Sequence, residues 1–237
     1  MPAFVLLPAS PSDLEAIARV QFEACASDHG FSVIFPKGAT LASITHLVHS
    51  YENDMENDPT CYIMIVKEAM SGEVASFAIW HFCPPRTQDE IDREMLMDDF
   101  PFPGDANKEL GKRLIHNSIR KRHEAVAANI GAQRPYACES KLSFTTELQI
   151  LTQCVSDLAA VGTSPKYQKQ GAASQLLNWG VERADDQDLA IYVEASPAAL
   201  RLYEKHGFRE VGRLQLDLAP WKAGDYSNMC MVRKPTS

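Results

Sequence analysis

Residues 165–174, PKYQKQGAAS, place lysine and glutamine side chains, one glycine and a run of small residues in a single short stretch. That set suits a phosphate seat, provided a helix begins inside it. The first amides of a helix have no intrahelical partner and lie at the positive end of the macrodipole, so they converge on an anion. Gly171 lets a ligand approach the backbone, and Ala172, Ala173 and Ser174 are too small to block the next turn. The flanking elements follow from periodicity. Residues 158–163 are apolar enough for a strand, while Ala173, Leu176, Leu177, Val181 and Ala184 recur at helical offsets from about residue 169 onward. Neither G-x-x-x-x-G-K-[ST] nor G-x-G-x-x-G is present, which excludes the common nucleoside-triphosphate and dinucleotide loops.

The elements that must position this turn can be read along the chain. Residues 4–7 form a short apolar run before Pro8, and Ser12-Asp13-Leu14-Glu15 has the form of a capping box for a helix burying Leu14, Ile17, Ala18, Phe22 and Cys25. Gly30 and Pro36 break the chain after it, and a second helix is expected over about residues 40–51. Residues 61–66 and 74–82 read as two strands joined by a turn at Ser71-Gly72-Glu73. Residues 84–153 are expected to form a helical insertion, with an acidic cluster from Asp89 to Asp99 and a long amphipathic helix over about 106–130. Lys112, Arg113, Arg120, Lys121 and Arg122 are expected on its polar faces, and residues 136–153 as extra sequence before the central strand. Downstream, residues 189–193 form a strand, Ser196 caps a helix with Pro197 at its first position, Gly207 ends it, and residues 209–218 and 229–233 supply two last strands. With no repeats or low-complexity linkers, residues 1–237 are read as one domain.

Composition narrows the partners. A net charge of −8 disfavours a general nucleic-acid or anionic-membrane binder, so neither is expected as a partner. The N-terminus lacks a signal peptide's basic region, no long apolar run is present, and six scattered cysteines suit reduced thiols, which together predict a cytoplasmic protein. His46 and His49 are the closest histidine pair, but without an acidic or cysteine ligand nearby they do not make a metal site, and none is expected.

The stretch Gln168-Lys169-Gln170-Gly171-Ala172-Ala173 resembles the Q/R-x-x-G-x-G/A signature of the Gcn5-related N-acetyltransferases (GNAT), which bind acetyl-CoA. A second block, residues 194–208 (EASPAALRLYEKHGF), is similar to that family's N-x-x-A-x-x-L-Y-x-K-x-G-F pattern. The likeness is close over residues 158–217 and loose, resting on element order, over residues 4–82. It implies an α/β GNAT fold, a mixed and mostly antiparallel sheet flanked by helices. The implied activity is acetyl transfer from acetyl-CoA, as cosubstrate, to an amine.

Several residues acquire expected roles from the resemblance. Val161 and Thr163 would offer backbone groups to the pantetheine arm, and Gln168, Lys169, Gln170, Gly171, Ala172, Ala173 and Ser174 would seat the pyrophosphate. Many relatives carry arginines in this turn, so fewer cations here imply looser binding unless Lys166 or a basic residue of the insertion compensates. Tyr203 falls on the family's tyrosine, a phenol able to protonate the departing thiolate, or else packs beside Leu200 and Phe208. Asp157, 11 residues before Gln168, sits where some relatives carry a glutamate base, and Glu194 at the end of the next strand is the second candidate. Each is alternatively a solvent-facing strand residue. The acceptor is expected to be a small-molecule primary amine attacking directly in a ternary complex. Alternatives are a protein or peptide amine, or a degenerate acyl-CoA-binding sensor. Family habit is compatible with a homodimer.

Overall fold

The computed structural model describes residues 3–138 and 161–236. Eight strands make one sheet: β1 (Phe4–Pro8), β2 (Cys61–Glu68), β3 (Val74–Cys83), β4 (Tyr136–Cys138), β5 (Val161–Thr163), β6 (Ala190–Ala195), β7 (Arg209–Leu216) and β8 (Tyr226–Arg233). Their order is β1-β2-β3-β4-β6-β8-β7, with β5 also pairing to β3. Every pairing is antiparallel except β4 with β6. The mixed, mostly antiparallel sheet expected from the sequence is therefore present.

Alternation along the strands sorts the core into two halves. Ile63 and Ile65 of β2, Tyr192 of β6, and Cys230 and Val232 of β8 face α1 (Leu14–Ala24), α2 (His29–Ile34), α3 (Leu41–Asn57) and α5 (Lys108–Asn129). Met64, Val66, Ile191, Val193, Met229 and Met231 face the other way, onto α6 (Ala172–Asp185) and α7 (Leu200–Lys205). A helix α4 (Gln88–Met95) packs on α5. Since both faces are covered, β3 is buried along nearly its whole length.

Several local expectations shift. The first helix begins earlier, in a 3-10 turn at Pro11–Asp13, where the Ser10 N–H and hydroxyl both donate to Asp13 Oδ2 (2.9 and 2.6 Å). Pro11 presets the helical φ, so the turn closes before Ser12, and Glu15 pairs with Arg19 on the surface instead. Between Gly30 and Pro36 the chain does not simply break, because the Asp28 carboxylate accepts from Phe31 N and starts α2. Ser196 does not cap α7. Its carbonyl accepts from Ala199 and Leu200, so Pro197 opens a turn and the helix starts at Leu200. Arg122 is not on a polar face: it is fully buried against Glu94, itself buried although it belongs to the acidic cluster.

Residues 136–138 are not extra sequence but part of the sheet. Cys138 lies opposite His81 of β3, and Val161 lies opposite Ala78, so only Trp80 and Ile79 separate the two pairings. β4 and β5 are thus two pieces of one strand on one edge of β3, although 22 residues of chain separate them.

Candidate active site

The sheet parts between β5 and β6. β4 pairs with β6 up to Cys138↔Tyr192, while β6 continues along β8 to Ala195↔Met229 and β5 follows β3. A wedge opens beyond Tyr192, with β5 as one wall and residues 193–195 of β6 as the other.

The backbone direction of β5 can be assigned. Ser164 N donates to Ala75 O (3.0 Å) and Ser76 Oγ donates to Gly162 O (2.7 Å), so Gly162 and Ser164 face β3. By alternation, the N–H and C=O groups of Val161 and Thr163 face the wedge, and Thr163 O there accepts from the Gln168 side chain (3.3 Å). Gly162 is required by packing, since a Cβ would lie 2.4 Å from the Phe77 ring. These two outward residues are the pair the sequence marked for a pantetheine arm.

β5 runs through a 3-10 turn, Pro165–Tyr167, into α6. The turn is anchored from below: the Tyr167 hydroxyl and Lys166 ammonium both donate to Glu73 Oε2 (2.5 Å each) on the β2–β3 hairpin. Lys166 thus pairs with Glu73, whose carboxyl it holds below the usual range. Gln170 likewise donates to Lys166 O (2.9 Å). Both glutamine side chains brace the turn. Lys169 at φ +59° and Gly171 at φ +94° take left-handed conformations. Gly171 then caps α6 with no side-chain hydrogen bond, and a Cβ added there would meet nothing within 4 Å. An uncapped helix start behind open space fits a pyrophosphate. Ala172 is buried, and Ala173 and Ser174 are half-buried along the first turn.

The proton-transfer candidates separate by face. Glu194 stands at the throat of the wedge, two positions past the last β4 pairing, on the α1 and α5 side. Ser118 of α5 and Tyr192 of β6 both donate to its Oε1 (2.8 and 3.0 Å). Burial raises its carboxyl above the ordinary range, opposed by those two donors and by Arg122. Tyr203 stands on the opposite side, buried with Tyr167, Ala172 and Leu176 and edge-on to Phe208 (5.3 Å between centroids). Both readings of Tyr203 survive this placement, because the ring packs as a core tyrosine on the α6 and α7 side of the sheet. Asp157 lies outside the described residues. Burial pushes the Cys25 thiol up to about 12 and that of Cys230 to about 11, so neither is a thiolate nucleophile near neutrality.

Sequence reasoning missed α1 and α2 as walls of the site. Gln21 faces α3, where it meets Tyr51; Arg19 and Glu23, two residues to either side, turn to the opposite flank. Glu23 accepts from Ser164 Oγ at the end of β5 (2.7 Å). Beside it a cavity of about 480 Å³ is lined by Phe22, Phe31, Phe35, Cys25, Glu23 and Arg19. Ser118 was also missed, because nothing in the sequence pairs positions 118 and 194. Among the described residues, no three histidine, cysteine, aspartate or glutamate side chains are grouped to hold a metal ion, and no helix is long and apolar enough to cross a membrane.

Residues 148–217 match a family model described as an acetyltransferase (GNAT) domain. A search of curated protein sequences returns no significant match. Among solved structures, one from Corynebacterium glutamicum, described as histone acetyltransferase HPA2 and related acetyltransferase, aligns with a TM-score of 0.57 at 22% identity, covering 100% of this chain and 98% of its own. A mosquito arylalkylamine N-acetyltransferase like 5b aligns at 0.63 and 13% identity, over 98% and 100% of the two chains. Polyamine N-acetyltransferase from Drosophila melanogaster aligns at 0.58 and 13% identity, again over 98% and 100%. Family model and shared fold agree with the wedge and the uncapped helix start: residues 148–217 are similar to a GNAT acetyltransferase domain, and the chain has the fold of solved N-acetyltransferases.

Proposed function

We propose that this protein is an acetyl-CoA-dependent N-acetyltransferase that acetylates the primary amine of a small molecule by direct attack in a ternary complex. The observation that carries the reading is the path from the outward groups of Val161 and Thr163 to the uncapped start of α6 at Gly171. Acetyl-CoA supplies the thioester. Val161 and Thr163 would orient its arm, and the turn from Gln168 to Ser174 would hold the pyrophosphate. Glu194 would accept a proton from the attacking nitrogen on the α1 and α5 side. As the carbon–sulfur bond breaks, Tyr203 would give its phenolic proton to the sulfur on the α6 and α7 side, and solvent would restore both groups.

A small acceptor with an apolar body is favoured by the phenylalanine-lined cavity beside Glu23, whose volume lies in the range of small-molecule sites. Proteins sharing the fold are described as arylalkylamine and polyamine N-acetyltransferases. The aromatic lining supports the former kind of acceptor over the latter. We keep residues 1–237 as one domain, since α5 of the middle region packs into the same core as α1 and α3.

Titration calorimetry with CoA and thiol release over an amine panel test the reading. CoA should bind, and aromatic or long-chain amines should release thiol faster than polyamines. Gly171→Val, which puts a β-branched side chain at φ +94° and in the ligand's space, should weaken CoA binding by about tenfold or more and cost about 1–2 kcal/mol of stability. Binding of CoA with no thiol released by any amine would instead mark a non-catalytic acyl-CoA binder.

A further inference from the structure

Glu194 is gripped on one oxygen only. The Ser118 hydroxyl and the Tyr192 phenol both donate to Oε1, at 2.8 and 3.0 Å, and Oε2 accepts no hydrogen bond from a described residue. A carboxylate has room for about four hydrogen bonds, two on each oxygen, so two donors on one oxygen fix its rotation and leave the other presented. The grip comes from two elements, β6 and α5, and the position of α5 is itself fixed. One turn beyond Ser118, fully buried Arg122 meets Glu94 Oε1 at 2.5 Å, and Glu94 Oε2 accepts from Arg86 (2.5 Å) and His123 (2.7 Å). This cluster ties α5 to α4, so Ser118 cannot drift from β6 without breaking buried ion pairs.

We propose that Ser118 and Tyr192 are positioning residues that hold Glu194 with Oε1 satisfied and Oε2 aimed into the wedge, where it takes the proton of the acceptor amine. The proposal rests on the reading of Glu194 as proton acceptor. Other groups also face this carboxyl: Arg122 from α5 favours its ionised form, and Tyr226 and Cys230 of β8 lie close enough to interact with it, Tyr226 being influenced in turn by Asp28 at the start of α2. Ser118 is the donor whose removal changes least else, because its side chain is small and buried, and Ser118→Ala removes one hydroxyl only.

The test compares wild type, Ser118→Ala, Ser118→Thr and Glu194→Gln. Infrared titration of the protonated-carboxyl band, assigned by its loss in Glu194→Gln, reads Glu194 without any turnover. Thiol release with one acceptor amine gives the pH profile of kcat/KM. Loss of a donor to the charged form should raise the Glu194 midpoint by about one pH unit in Ser118→Ala, moving the acid limb of kcat/KM by the same amount. Activity should then fall about tenfold on the acid side and stay within about twofold on the alkaline plateau, with Ser118→Thr restoring the profile. An unchanged midpoint, or a loss equal at every pH, overturns the proposal. A midpoint that moves while the acid limb stays overturns the assignment of Glu194 as proton acceptor, and the catalytic meaning of the grip with it. If wild type acetylates no amine, the acetyl-transfer reading falls, whereas the infrared midpoint still decides whether Ser118 holds Glu194. Should Ser118→Ala fail to fold, Tyr192→Phe removes the other donor to the same oxygen and is read identically.

Discussion

Glu194 and Tyr203 sit on opposite faces of the parted sheet, so an amine arriving from the α1 and α5 side and a sulfur leaving toward α6 would each meet a different proton carrier. Tyr203→Phe keeps the ring and its contact with Phe208 but removes the acid. We expect kcat to fall about 100-fold with little change in CoA affinity, measured by thiol release and calorimetry. An unaltered kcat would leave Tyr203 a packing residue. Glu194 makes a second, opposite-signed prediction. Its folded-state carboxyl lies above the ordinary value, so ionising it costs the folded protein stability as pH rises through the unfolded value toward the folded one. Glu194→Gln should therefore melt at or above wild type at pH 8, with that advantage absent near pH 4, while turnover drops. A variant less stable than wild type at pH 8 would contradict the burial-driven shift.

At the scale of elements, the feature to explain is a strand in two pieces. Cys138 and Val161 sit on β3 as if two residues lay between them. Deleting residues 139–158 joins Cys138 to Ala159, places Ala159 and Ala160 opposite Trp80 and Ile79, and keeps Val161 opposite Ala78. Because strand register is fixed wherever a face is buried, and β3 is buried on both, this deletion should yield a folded protein that binds CoA and melts no lower than wild type. Circular dichroism, calorimetry and thiol release on the deletion variant check it. The same variant lacks Asp157, so retained turnover would remove that residue from the mechanism and leave Glu194 as the base.

Over the whole molecule, buried or half-buried ion pairs fasten helices to one another and to the sheet. Glu94 joins α4 to α5, and Asp185 at the end of α6 receives Arg233 of β8 in a two-pronged contact (2.7 Å each) as well as Thr236. The Arg233 and Thr236 hydrogen bonds hold the Asp185 carboxyl at about 2, below its ordinary 3.8. A depressed carboxyl contributes stability that is present above its unfolded value and lost as pH falls through its folded value. Asp185→Asn should thus cost about 2 kcal/mol at pH 7 and almost nothing near pH 2, read from urea unfolding at the two pH values. An equal cost at both would assign the effect to packing.

Local chemistry is legible in the order of residues alone. The turn at residues 168–174, the strand ahead of it and the helix after it follow from glycine, small residues and a 3.6-residue period, all of which are properties of neighbours in the chain. So do the hairpin at Gly72 and the end of α7 at Gly207, where positive φ is needed. What the tertiary structure alone decided is long-range. Ser118 meets Glu194 across 76 positions, Glu23 meets Ser164 across 141, and Lys166 pairs with Glu73 across 93. Residues 136–138 join the sheet only because β3 and β6 offer edges in register. Helical and strand periods are written in adjacent side chains, whereas which oxygen of Glu194 is held, and which is left for a substrate, depends on how two helical layers settle on one sheet.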